Sequence, residues 1–176
     1  QYPVEYRTGW GDEGNKAIVD FVNAGGTLVT FSGASSYAID KFELPLRNVV
    51  AGLPSKQFWS PGSTLKITVD NTNWIGYGMP ANAFATFLSG SQVYEIQPGA
   101  QNMQVIARYV DKDVLQSGWL LGESVIAGKA AAVTTTVGKG RLVLIGFRAQ
   151  HRDQTHGTFK LVFNALQTPP NNPLTP

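Results

Sequence analysis

The 176-residue sequence predicts one α/β domain, a β-sheet with helices packed on its faces, and two stretches carry that prediction. Near the start, a helical segment closes on Gly25-Gly26, gives way to the strand Thr27-Leu28-Val29-Thr30-Phe31, and turns through Ser32-Gly33-Ala34-Ser35 into a second helix. Near the end, two strands flank Gly138-Lys139-Gly140 and lead through a polar loop into a last helix. The first unit describes half of a doubly wound sheet.

Residues 1–11 read as a loop rich in aromatics and glycine. Gly11 or Asp12 opens the first helix, and Asp12 and Glu13 suit the positive end of its dipole. Ile18, Phe21 and Val22 recur at i, i+3, i+4 and give it one apolar face. Glycine closes a helix because it enters the left-handed region without a Cβ penalty. The run 27–31 is β-branched and apolar almost throughout, as in a parallel strand covered on both faces. The second helix is expected over 36–42. The chain thus opens on a helix with no strand before it, which predicts that the first strands of the sheet are missing from it.

The middle is less regular. Residues 65–69 alternate as a strand with one wet face, 71–80 form a loop around Trp74, Tyr77 and Met79, and 92–96 and 103–110 read as strands. Pro54, Pro61, Pro80 and Pro98 keep helices short here. Residues 130–137 and 141–147 form a hairpin. The loop 148–155 follows, with Thr155 as candidate N-cap of a helix beginning near Gly157 that buries Phe159, Leu161, Val162, Phe163 and Leu166. One domain over 1–167 and a Pro/Asn-rich tail over 168–176 complete the organisation.

Composition excludes several kinds of function. There is no cysteine, hence no disulfide, thiolate nucleophile or zinc–sulfur site. The formal charge is +2 and the basic residues form no cluster, so no nucleic-acid partner is expected. No apolar run approaches the roughly 18 residues that span a bilayer.

Chemistry in such folds sits beyond the carboxyl ends of the strands, which singles out the 32–36 turn and the 148–156 loop. The loop carries both histidines, His151 and His156, with Arg148, Gln150, Arg152 and Asp153. The histidines are five positions apart and no glutamate is near, so no metal site is expected. A catalytic arrangement would use Ser32 or Ser35 as nucleophile, His151 as base and Asp153 to orient it, because a serine hydroxyl attacks only when an aligned imidazole takes its proton. Arg148, Gln150 and His156 are the substrate-binding candidates beside them. The competing expectation is a polar loop that satisfies strand-end carbonyls and caps the last helix. Among the tryptophans, Trp59 and Trp74 lie in Pro/Gly loops and are the expected exposed pair, suited to stacking on a sugar or peptide.

Several segments resemble a known family. They are Gly25-Gly26-Thr27-Leu28-Val29, Leu44-Pro45-Leu46-Arg47-Asn48-Val49, Ser117-Gly118-Trp119-Leu120-Leu121-Gly122, the run from Gly138-Lys139-Gly140-Arg141 through Gly146-Phe147-Arg148, and Gln154-Thr155-His156-Gly157-Thr158-Phe159-Lys160-Leu161. Over residues 6–166 the chain resembles the class I glutamine-amidotransferase-like domain that follows the catalytic domain of large bacterial zinc metallocarboxypeptidases. The resemblance implies a flavodoxin-like three-layer sandwich with a mostly parallel sheet and a C-terminal β-hairpin. It also implies a secreted or periplasmic parent, and an upstream peptidase domain, or a missing N-terminal part, as partner. Zinc would belong to that peptidase domain, whose His-x-x-Glu motif has no match here, and this segment would hold no cofactor.

True amidotransferases place a Cys at the strand–helix elbow and a His-x-Glu after the last strand. Here the elbow holds Ser or Gly, and His151-Arg152-Asp153 stands where His-x-Glu would. Glutamine hydrolysis is out of reach without the thiol. Three functional expectations remain: a non-catalytic accessory domain of such a peptidase, a serine-dependent hydrolase, and a carbohydrate- or cell-wall-binding module.

Overall fold

The computed structural model describes residues 2, 3, 6 and 9–167; the expected tail over 168–176 and much of the opening loop lie outside the described residues. Among the described residues four helices, α1 (Gly11–Asn23), α2 (Ser35–Lys41), α3 (Glu123–Ile126) and α4 (Phe159–Gln167), accompany nine strands: β1 (Thr27–Phe31), β2 (Leu46–Asn48), β3 (Gly62–Val69), β4 (Asn82–Leu88), β5 (Tyr94–Ile96), β6 (Met103–Tyr109), β7 (Leu115–Ser117), β8 (Ala130–Val137) and β9 (Gly140–Ile145). All nine strands belong to one open sheet whose spine runs β1-β9-β8-β6-β3-β4, with β2, β5 and β7 attached at its sides.

Strand β9 explains the layering. Its residues are all buried, and their alternation sends Leu142 and Leu144 into one core and Val143 and Ile145 into the other. The first core receives Val22 from α1 and Ala38 from α2; the second receives Leu161 and Ala165 from α4 and Ile126 from α3. Helices therefore cover both faces, as the sequence predicts for a three-layer α/β sandwich.

The expectation of a mostly parallel sheet is corrected. Only β1 and β9 pair in parallel among the described residues; every other described pairing is antiparallel. Parallel neighbours need a long crossover, usually a helix. Among the described residues no helix connects the strands between β2 and β7, and that stretch folds back on itself in antiparallel pairs instead. Strand β1 stands at the end of the spine, which leaves most of its side chains half-buried where the sequence suggested full cover. The hairpin between β8 and β9 closes over Gly138-Lys139, with φ +56° at Gly138, the sign that the first position of a type II′ turn needs.

Candidate functional site

The elbow after β1 is strained and unsatisfied. Ser32 has φ +48°, a left-handed conformation that costs a residue with a Cβ about 1–2 kcal/mol. It is only 6% exposed, and its Oγ has no hydrogen-bond partner among the described residues. A cleft of about 390 Å3 opens here, lined by Ser32, Gly33, Gly90, Arg148 and Gln150 among others. Ser35 lies elsewhere: it is fully buried, and its Oγ shares a hydrogen bond of 2.9 Å with Thr30 Oγ1, which ties α2 to β1.

The loop after β9 distributes its polar residues among three clefts. Arg148 and Gln150 face the Ser32 elbow. His151, Arg152, Gln154 and Thr155 line a second cleft of about 630 Å3, whose other wall is formed by Gly62, Ser63 and Thr64 of β3, Thr86 and Leu88 of β4, and Ser117 and Gly118. His156 lines a third cleft with Gly78, Lys160 and Phe163. Arg152 (φ +48°) and Asp153 (φ +62°) are the two central residues of a tight turn, closed by Gln154 N–H donating to His151 C=O at 2.9 Å. Two successive positive φ angles are those of a type I′ turn. The Asp153 carboxylate meets His156 Nε2 at 3.1 Å, an exposed pair at i, i+3. The structure thus brings Ser32 to Arg148 and Gln150, and Asp153 to His156; it does not bring Ser32 to His151 or Asp153 to His151. A serine hydroxyl without an aligned acceptor is a weak nucleophile.

Thr155 occupies the N-cap position of the 3-10 turn His156–Thr158 that leads into α4, as expected, but its hydroxyl makes no capping bond to a backbone N–H. It donates instead to Phe84 C=O, while Arg148 N–H donates to Thr86 C=O. The loop so covers part of the outer edge of β4.

The second cleft adjoins residues that sequence reasoning only half found. Trp59 and Trp119 are 42% and 61% exposed, and their rings meet edge-on with centroids 5.9 Å apart. Trp59 was expected to be exposed; its expected companion, Trp74, is half-buried instead. The loop that carries Trp74 is pulled down by Asn164 of α4, whose Nδ2 donates to Ile75 and Tyr77 carbonyls at 3.0 and 2.9 Å. The only sequence signal for Trp119 was its place between Gly118 and Gly122.

Among the described residues no three or more His, Asp or Glu side chains gather as a metal site, and no helix is long and apolar enough to cross a membrane.

The layered sheet and the elbow after β1 define a class I glutamine-amidotransferase-like fold of flavodoxin type. No family model and no curated protein matches the chain. Among solved structures it is similar to a Parabacteroides merdae protein described as ThuA-like, with a TM-score of 0.59, 15% identity, and 96% of this chain aligned to 69% of that one. It is also similar to a Thermoplasma acidophilum protein described as a GMP synthase subunit, with a TM-score of 0.53, 9% identity, and 88% of this chain aligned to 63% of that one. A cold-adapted β-galactosidase from Rahnella matches with a TM-score of 0.53 and 14% identity, over 85% of this chain but 20% of the β-galactosidase. At these identities the likeness concerns the fold.

Proposed function

We propose that this chain is a non-catalytic accessory domain of an exported bacterial zinc metallocarboxypeptidase, positioning or stabilising the peptidase domain. The observation that carries the non-catalytic part is the elbow itself: Ser32 stands where the fold places a nucleophile, its hydroxyl has no acceptor among the described residues, and His151 faces a different cleft. The resemblance of residues 6–166 supplies the parent. An accessory role is supported by the β-galactosidase match, in which a similar fold makes up a fifth of a larger enzyme chain. Intact-mass and peptide-sequence analysis of the native protein tests the proposal. A polypeptide whose upstream part carries the His-x-x-Glu zinc motif supports it, and a mature protein without that motif overturns it.

A serine hydrolase is the second reading, favoured by the positive φ of Ser32 at a strand-to-helix turn, the strained backbone that nucleophile elbows share. In it, Ser32 attacks an acyl carbon, and loop 148–156 turns His151 to take the hydroxyl proton and pass it to the leaving group as its bond to the acyl carbon breaks. Water then releases the acyl group from Ser32, and Arg148 and Gln150 hold the substrate. Ser35 has no part, because its hydroxyl is committed to Thr30. Fluorophosphonate labelling separates the two readings: a covalent adduct on Ser32, lost in His151→Ala, establishes the hydrolase, and an unlabelled protein removes it.

A further inference from the structure

The segment 118–122 is held with unusual completeness for a stretch that ends at the surface. Trp119 N–H donates to Ser63 Oγ at 3.0 Å, and the same hydroxyl donates to Trp119 C=O at 2.6 Å. Ser60 donates in turn to Ser63 Oγ at 3.2 Å. Two residues on, Trp59 and Leu121 exchange both backbone hydrogen bonds, at 2.9 and 3.1 Å. Gly118 and Gly122 have φ of +100° and +82°, and a Cβ on either would lie 2.6 and 2.1 Å from the carbonyl oxygens of Gly62 and Gln57. A surface indole needs none of this to be tolerated. Fixing an aromatic before its ligand arrives lowers the ordering cost of binding.

The cleft beside this segment defines the ligand. Gly118, which precedes Trp119, and Ser63, which holds its backbone, line the cleft; the two indoles stand beside it and are not part of its wall. Its side chains are mostly hydroxyl and amide groups: Thr64, Thr86, Ser117 and Gln154, which both donate and accept, and Thr155, whose hydroxyl already donates to Phe84 C=O. Its volume falls within the roughly 300–1,000 Å3 of small-ligand sites. Among the described residues on its wall, Arg152 is the one permanent charge and there is no carboxylate. A polyanion would want more cations, and a cationic ligand would want an acid. A strand-adding peptide would want the free edge of β4, but Thr155 and Arg148 already hold carbonyls on it.

We infer that the Trp59–Trp119 pair and the hydroxyl-lined cleft beside it form a binding site for a neutral oligosaccharide, with sugar ring faces on the indoles and sugar hydroxyls on the cleft. The site binds without cleaving, because glycoside hydrolysis needs a pair of carboxylates and none is among the described residues of the cleft. The inference is independent of a peptidase parent.

The test is titration of the purified chain with cellohexaose, chitohexaose and maltohexaose, followed by tryptophan fluorescence and calorimetry. Saturable binding of at least one of them is expected, weakened at least about tenfold by Trp119→Ala and by Gln154→Ala, and unchanged by Trp10→Ala. Far-ultraviolet circular dichroism establishes that each variant is folded; should Trp119→Ala fail, Trp59→Ala takes its place. No binding of any of the three at about 10 mM sugar overturns the inference. So does binding that survives both tryptophan substitutions. A polyproline peptide that outcompetes the sugars, or self-association of the chain that Trp119→Ala abolishes, would assign the pair to another partner and equally overturn it.

Discussion

The hydroxyl of Ser63 closes on both backbone polar groups of Trp119, accepting from its N–H at 3.0 Å and donating to its C=O at 2.6 Å. Ser63 is buried on β3, 56 residues away in sequence, so one small side chain links the sheet to an exposed aromatic. Removing it leaves two part-buried backbone groups without that partner. Ser63→Ala should therefore cost about 1–3 kcal/mol, the penalty for unsatisfied buried groups. Urea unfolding measures the loss, and quenching by acrylamide should rise as Trp119 gains freedom. An unchanged midpoint would show that water replaces the hydroxyl fully.

Gly118 and Gly99 allow backbone strain to be separated from collision. Both have positive φ, +100° and +85°, so alanine is disfavoured at each. At Gly99 a Cβ meets nothing within 4 Å, whereas at Gly118 it falls 2.6 Å from Gly62 O and 2.8 Å from Ser63 Cα. Gly99→Ala should cost about 1–2 kcal/mol from conformation alone. Gly118→Ala should cost clearly more, and it should weaken sugar binding as well. Equal losses in urea titrations of the two variants would refute the close approach at Gly118.

What the sequence could and could not disclose follows the range of the forces involved. The strand 27–31, the hairpin at Gly138, the helix from Gly11 and the strand from Ala130 were all legible, because each is fixed by local periodicity and by glycine chemistry. Strands β2 and β7, of three residues each, and the four-residue α3 are too short to show a period, and they exist because longer neighbours pair with or bury them. Strand β4 also escaped notice, although its seven residues alternate in burial; it sits at the sheet's edge with Phe84 largely exposed, so its composition blurs the two faces. Direction of pairing is not legible, since one parallel pair, β1 with β9, carries the whole doubly wound signal. At the site, the elbow and the polar loop were visible as residue types. Their partnering was not: His151-Arg152-Asp153 looks like a catalytic pair in sequence, but the turn directs Asp153 to His156. Trp119 was hidden because its anchor, Ser63, lies 56 positions away.

Acid should loosen the β2–β5 attachment at the side of the sheet before the rest. Glu95 on β5 receives Lys129 and Arg47, the latter from the facing position on β2. The hydrogen bond from Lys129, then that from Arg47, holds its carboxyl below the ordinary value of 4.5. A carboxyl depressed in the folded state stabilises above its unfolded pKa, and the contribution is lost as pH falls through the folded value. The stability difference between the natural protein and Glu95→Gln should thus be present at neutral pH and shrink as pH falls below about 4.5. Added salt should shrink it too, the groups being solvent-accessible. A difference that stays constant from neutral pH to below about 4 would rule out the ion pairs as its source.

The Ser32 elbow offers a test whose sign distinguishes relic from working site. Glycine at this position would relieve a left-handed strain of about 1–2 kcal/mol. It would also remove a buried hydroxyl that has no partner among the described residues, a group whose desolvation costs about 1–3 kcal/mol. Against these stands the extra chain entropy of glycine, about 0.5–1 kcal/mol. Ser32→Gly should accordingly raise the unfolding temperature, and Ser32→Val, β-branched at φ +48°, should lower it. If glycine destabilises instead, the hydroxyl holds an acceptor in solution, the first property a nucleophile in this cleft would require. A protein that gains stability by losing Ser32 has kept the elbow as architecture, with Arg148 and Gln150 facing a cleft that no longer has a reactive atom.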